Sequence, residues 1–203
     1  MNYKKSRDLA WKVLYRSRAT NLPIPVQDIC KRERIRLVTY ASGADLIHRL
    51  GLEEHTVGND AFSLRGIIFY DDRTSIGRQR FSIAHEIGHI LLHSPKGATV
   101  YNREPTPNDD PLEAEANVFA SRLLTPLCVL HYMNVQSAPE IAELCNISLT
   151  AANIRFERLQ LIRERDKQVG CFLTSPYERR VYRRFQRYIT EQSVKRRNAY
   201  KPF

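Results

Sequence analysis

The chain has 203 residues and a formal net charge of +10. That length fits one domain, or one domain with a small appendage, and the 42% hydrophobic content is enough for a real core. So basic a balance calls for an acidic partner such as nucleic acid, an anionic membrane surface or an acidic protein, while no apolar stretch approaches the ~20 residues that span a bilayer.

The N-terminal stretch MNYKKSRDLAWKVLYRSRA carries charges throughout and no long apolar run, so it does not read as a signal peptide. Residues 3–19 show a helical period through Leu9, Val13 and Leu14, with Trp11 on the flank and a basic opposite face. NLPIP breaks that helix, and Pro25 fits the first turn of a short one running through Cys30. IRLVTY (35–40) is rich in branched residues and reads as a strand. ADLIHRLGL predicts a short helix ended by Gly51. AFSL and GIIFYDD predict two adjacent strands, the second running to a turn at Asp71-Asp72.

A helix holding RFSIAHEIGHILLH (80–93) follows. SPKGATVYNREPTPNDD (94–110), with three prolines, predicts a surface loop or frayed hairpin, of a length that compact domains keep for function. PLEAEANVFASRLLTP (111–126) predicts a helix with Asp110 as cap and Pro111 at its first position. Leu112, Ala116, Phe119, Ala120 and Leu123 form one stripe of it, and Pro126 ends it.

Residues 138–162 read as two short helices about a turn at Asn146-Ile147-Ser148, the size of a helix-turn-helix. In the last segment Ser175 and Glu178 have capping-box spacing, and Val181, Phe185 and Tyr188/Ile189 form a stripe. Residues 176–203 hold 9 Lys/Arg and 2 Asp/Glu, so +7 of the net charge of +10 sits in this tail. Cys30, Cys128, Cys145 and Cys171 make no CxxC pair and read as reduced thiols. Together with the missing signal and span, they place the protein in the cytoplasm.

The chemistry is concentrated in RFSIAHEIGHILLH. Phe81, Ile83, Ala84, Ile87, Ile90 and Leu91 make this helix apolar on most sides, yet it carries His85, Glu86 and His89. Buried ionisable groups are costly unless paired or metal-bound. Histidines four apart share a helix face about 6 Å apart along the axis, so both imidazoles can bind one ion. Glu86 lies beside the first histidine, placed to act as general base toward a water on that ion. The competing structural reading is an amphipathic helix with its histidines in solvent, but little else on the helix is polar enough to define such a face.

A third protein ligand is expected on the 111–126 helix. Glu113 and Glu115 point about 200° apart, so only one can face the ion. Glu113 has Asn117 one turn on, where an amide can hydrogen-bond a ligand histidine. Glu113 is therefore the choice and Glu115 the fallback, with helix capping the competing role for Glu113. His93 extends the row of histidines but lies too far along the axis to join the same ion. A supporting contact or a substrate-side role is open to it, but the reading preferred is an ordinary histidine at the helix end, well placed against the dipole. Tyr101, His131 and Tyr132 are candidate donors to a developing oxyanion.

RFSIAHEIGHILLH followed by LEAEANVFASRLLTP resembles the ImmA/IrrE family of zinc-dependent metallopeptidases, over roughly residues 8–165. The resemblance implies an α+β fold: a zincin-like core with a small sheet packed on the HExxH helix, then a mainly helical C-terminal region. The expected division is a peptidase domain over 1–135, a helix-turn-helix-like segment packed on it over 136–165, and a basic helical tail over 166–203 that the resemblance does not cover. It puts the metal ligands on His85, His89 and Glu113 and the catalytic acid on Glu86, with one Zn2+ per chain; another divalent ion also suits such ligands. The family's regulatory members, encoded on phages and mobile elements, act as antirepressors that cut a helix-turn-helix repressor, which implies such a protein as substrate. Where the family commonly has Met before the final proline, this chain has Thr125. The alternative is a DNA-binding or protein-interaction regulator using residues 138–162 and the basic tail, with an inert or structural metal site. The expected recognition helix offers only Arg155 and Arg158 as cations, which is thin for a groove reader.

Overall fold

The computed structural model describes residues 3–93, 111–170, 173 and 175–199. Chain contacts divide it into two compact units. The first comprises Met1–Ala10 and Pro25–Ser121, the second Trp11–Ile24 and Arg122–Phe203. Helix α1 (Tyr3–Ser17) contributes to both. It buries Ser6, Ala10, Trp11, Val13, Leu14 and Ser17, while Leu9, expected in the stripe, is only half-buried. The Ser17 hydroxyl donates to the Leu14 carbonyl at 2.7 Å as the helix ends.

In the first unit, α2 (Val26–Arg32) starts directly after Pro25, whose fixed φ suits a helix entry. Strand β1 (Arg36–Thr39) leads to α3 (Ala44–Leu50), which stops at Gly51 with φ 65°, the left-handed cap that glycine takes without a Cβ penalty. A single 3-10 turn spans Glu53–Thr56. Strands β2 (Ala61–Leu64) and β3 (Ile67–Tyr70) are joined by Arg65-Gly66, both at positive φ (47° and 78°). Two consecutive positive φ values make the primed turn whose twist matches a tight hairpin.

The sheet order is β1-β3-β2, with β1 parallel and β2 antiparallel to β3. One side of it is sealed by Val38, Ile47, Leu52, Phe62 and Phe69. Phe62 stacks on Phe69 with centroids 5.0 Å apart, a pair worth about 1 kcal/mol beyond its area. Helix α4 (Ile76–His93) packs against β2 and β3.

Helix α5 (Pro111–Leu124) crosses α4 at Gly88. A Cβ at Gly88 would come within 3.1 Å of the Phe119 ring and 3.2 Å of the Ala116 Cα. The missing side chain is what lets the two backbones approach. Asp110, the expected cap of α5, lies outside the described residues, as do Tyr101 and Cys171.

The described part of the second unit is helical. Helix α6 (Leu127–Tyr132), which the sequence reading did not anticipate, follows Pro126 at once. Pro126 does end α5, but it also opens the next helix, burying Leu127 to Leu130 in full. Helix α7 (Ala138–Cys145) is capped by Ser137, whose hydroxyl accepts from the Glu140 N–H. Asn146 takes the left-handed conformation, and Ser148 caps α8 (Leu149–Val169) by accepting from the Ala151 N–H. The turn is the one expected, but α8 runs seven residues past the expected Ile162. Its last turns are held by polar residues such as the Glu164–Lys167 pair (2.7 Å) and have no apolar period to betray them.

Helix α9 (Pro176–Ala199) buries Val181, Phe185 and Ile189, and the backbone N–H of Ser175 donates to Glu178 at 3.4 Å. The architecture is α+β: a small mixed sheet beside the HExxH helix and a mainly helical C-terminal region. Among the described residues no helix is long and apolar enough to cross a membrane.

Candidate metal centre

Helix α4 lies against the sheet on one side and α5 on another, so most of its faces are shielded. His85 and His89 are each 1% exposed and Glu86 is 4% exposed. The sequence reading identified this burial as the anomaly to explain, because three ionisable groups inside an apolar shell are costly alone.

The two imidazoles converge. Their Nε2 atoms lie 2.9 Å apart, and the rings meet edge to face with centroids at 4.6 Å. Glu113 on the first turn of α5 closes the group, with Oε2 at 3.2 Å from His85 Nε2 and Oε1 at 3.0 Å from His89 Nε2. One donor atom from each of the three lies within 4.8 Å of the others. Burial by itself works against ionisation of Glu113. The adjacent His85 and His89 imidazoles outweigh it and hold the carboxyl well below the ordinary range. Two neutral imidazole nitrogens facing each other at 2.9 Å repel unless a proton or a cation lies between them. Two imidazoles and a carboxylate are a donor set that suits Zn2+, and the Gly88 crossing brings the third donor within reach of the first two.

Of the two candidate glutamates, Glu113 faces the histidine pair. Glu115 points elsewhere and contacts His93, with Oε2 at 3.2 Å from Nε2. Asn117 sits where one helical turn from Glu113 puts it. Its Oδ1 lies 2.9 Å from His85 Nδ1, and since an amide oxygen only accepts, that nitrogen carries the proton. His93 does not stand alone at the helix end, for its Nδ1 lies 3.3 Å from His89 Nδ1. Its pKa is lowered, chiefly by burial, with the Glu115 carboxylate acting against that.

Glu86 is held apart from the donor group. Its Oε2 accepts a 2.7 Å hydrogen bond from the Ser63 hydroxyl on β2. Burial raises its pKa, opposed by the nearby His85 and His89 and by the Ser63 hydroxyl. A carboxylate whose proton affinity burial raises, beside a metal-type donor set, is equipped to take and return a proton. Ser63 was missed in the sequence reading. No pattern pointed to it: a lone serine between Phe62 and Leu64 in a four-residue strand does not announce a partner 23 residues away.

Of the oxyanion candidates, Tyr101 lies outside the described residues. His131 and Tyr132 belong to the second unit, where their rings meet edge to face and Tyr132 packs on Tyr182 with centroids 4.2 Å apart. Arg155, read as a cation available to a groove, is 7% exposed and donates from Nε to Thr125 Oγ1 (2.6 Å) and from a terminal nitrogen to the Thr125 carbonyl (2.9 Å). Burial, with Arg122 nearby, lowers its pKa to about 9. It is an internal brace, and Thr125, the departure from the family pattern, is what it holds.

Residues 30–157 match the family model Peptidase_M78, described as an IrrE N-terminal-like domain. No curated protein and no solved structure gives a significant match.

Proposed function

The chain belongs to the Peptidase_M78, IrrE N-terminal-like family, and from that premise we propose that it is a zinc-dependent endopeptidase with a regulatory target. The observation that carries this reading is the convergence of His85, His89 and Glu113, with Glu86 next to them and outside the group. A zinc ion, when bound, supplies Lewis acidity and lowers the pKa of a coordinated water toward ~7.

The protein's own groups do the rest. His85, His89 and Glu113 hold the ion, and Asn117 orients the His85 ring through its Nδ1–H. Glu86 takes a proton from the attacking water and delivers it to the leaving amine. Ser63 holds the Glu86 carboxylate through the 2.7 Å hydrogen bond that its hydroxyl donates.

By its likeness to the regulatory members of the family, the substrate is a helix-turn-helix repressor and the setting a mobile element in the cytoplasm. The test is incubation of the zinc-loaded protein with the repressor encoded beside it. Cleavage that needs zinc and is lost in Glu86→Gln is the expected result; substantial cleavage by that variant sinks the general-base role.

A second reading is favoured by charge. Residues of the second unit include 18 Lys/Arg and 7 Asp/Glu, a net of +11, and Arg179, Arg180, Arg183 and Arg187 of α9 are exposed. In this reading the unit holds nucleic-acid phosphates. Affinity for duplex DNA that falls linearly with the logarithm of salt, with a slope about 3–4 smaller when those four arginines are changed to Gln, supports it. The burial of Arg155 leaves only Arg158 among the two cations first assigned to a groove-reading helix, which weighs against sequence-specific readout.

A further inference from the structure

On the reading that His85, His89 and Glu113 hold a metal, we infer that His93 and Glu115 are positioning residues that fix the tautomer of His89. The chain of contacts runs His89 Nδ1 to His93 Nδ1 at 3.3 Å, then His93 Nε2 to Glu115 Oε2 at 3.2 Å. It is an interior chain, with the His93 side chain 5% exposed and that of Glu115 11% exposed.

The direction of this chain follows from which groups can donate. An ionised carboxylate only accepts, so the proton between His93 and Glu115 belongs to His93 Nε2. A neutral imidazole carries one proton, which leaves His93 Nδ1 as an acceptor. That acceptor faces His89 Nδ1 and calls for a proton there. His89 Nε2 is then bare, and it is the atom that faces His85 Nε2 and Glu113. Each proton is placed once, and every nitrogen in the chain is used.

With the chain reversed, His93 Nδ1–H would donate to His89 Nδ1, and the His89 proton would sit on Nε2, inside the donor group. A protonated Nε2 cannot ligate. Glu115 thus determines, two residues removed from the ion, that His89 can bind it.

His85 reaches the same state by a shorter route, through the acceptor oxygen of Asn117. The two ligand histidines are held by different devices, a single amide in one case and a histidine–carboxylate pair in the other. Supporting contacts of this kind are worth about 10–100-fold in metal affinity.

The experiment is a zinc dissociation constant, measured by chelator competition on the full chain, for wild type, His93→Phe, His93→Gln, Glu115→Gln and the double variant His93→Phe/Glu115→Gln. Folding is checked by circular dichroism. His93→Phe is expected to bind zinc about 10–100-fold more weakly. His93→Gln recovers most of that loss, because its carbonyl accepts from His89 Nδ1–H while its amide donates to Glu115. Glu115→Gln falls between, and adds nothing once His93 is Phe. Long-range 1H–15N spectra of the zinc-loaded wild type should show His93 neutral with its proton on Nε2.

Wild-type affinity in a folded His93→Phe, or a proton on Nδ1 of His93, overturns the inference while leaving the metal site standing. If His93→Phe does not fold, His93→Gln and the wild-type spectra still decide. Failure of wild type to take up zinc overturns both the site and the positioning role.

Discussion

Residues 1–10 and 25–121 carry 14 Lys/Arg against 15 Asp/Glu, a net of −1, where the rest of the chain carries +11. The near-neutral unit buries a small set of ionisable groups and gives each a polar partner: His85 and His89 on Glu113, Glu86 on Ser63, His93 on Glu115. The basic unit keeps most of its cations at the surface and buries Arg155 against Thr125. Net charge therefore points away from the chemistry. The composition's most conspicuous feature, +10, comes from the unit that lacks the donor group, and the site lies where the charges nearly cancel.

The sharpest way to break that comparison is at Glu86. Glu86→Gln should lower peptide cleavage by roughly a thousandfold or more while zinc content, read by elemental analysis, stays at about one per chain. Next comes Glu113→Ala, expected to weaken zinc binding by more than about a hundredfold. Glu115→Ala should lose less affinity than that, and should still carry about one zinc per chain when zinc is in excess. If the two variants behave alike, the assignment of the third ligand is wrong.

In the basic unit, Arg155→Leu leaves the Thr125 carbonyl and hydroxyl without the two bonds they accept there. It should cost about 2 kcal/mol, seen as a fall in Tm of about 4–8 °C. Zinc affinity of the folded protein should not move, so a variant that loses zinc at room temperature would show the two units to be energetically one.

The smallest effect concerns Asp71, just past β3. Hydrogen bonds from the Arg73 side chain and backbone N–H lower its pKa from 3.8 to about 2. A depressed carboxyl stabilises the fold at pH values above its unfolded pKa, and that contribution disappears as pH falls through 4 toward 2. Wild type should exceed Asp71→Asn slightly in Tm at pH 6, and the gap should narrow steadily below pH 4, closing only once the pH is below the folded pKa of about 2. A gap that widens on acidification reverses the sign and removes the explanation.

Most of the first unit and the centre of the site were legible in residue spacing. The period-four pair His85/His89, set in an apolar run, identified the helix, and the Asp71-Asp72 and Gly51 signals set boundaries close to those found. The choice of Glu113 over Glu115 followed from the position of Asn117, and the structure puts Glu113 on the histidine pair and Asn117 on His85.

What could not be read is what depends on contacts distant in sequence or on polar pairing. Ser63 meets Glu86 across 23 residues and Arg155 meets Thr125 across 30. A lone serine in a strand or arginine in a helix carries no period to announce its partner. Helix α6 is six residues long, too short for a period, and the end of α8 is polar on all sides. Glu115 was weighed only as a rival ligand because helical geometry tells which way a side chain leaves the axis, not what waits there.

Gly88 lies between the two histidines in sequence and under Phe119 and Ala116 in space. The distance from Glu113 to the histidine pair therefore depends in part on how near the two backbones come at this crossing. Widening the crossing by one methyl, as Gly88→Ala does, should shift relative affinity from zinc toward larger divalent ions such as manganese or cadmium, so that a residue with no side chain acts as the size filter of the site.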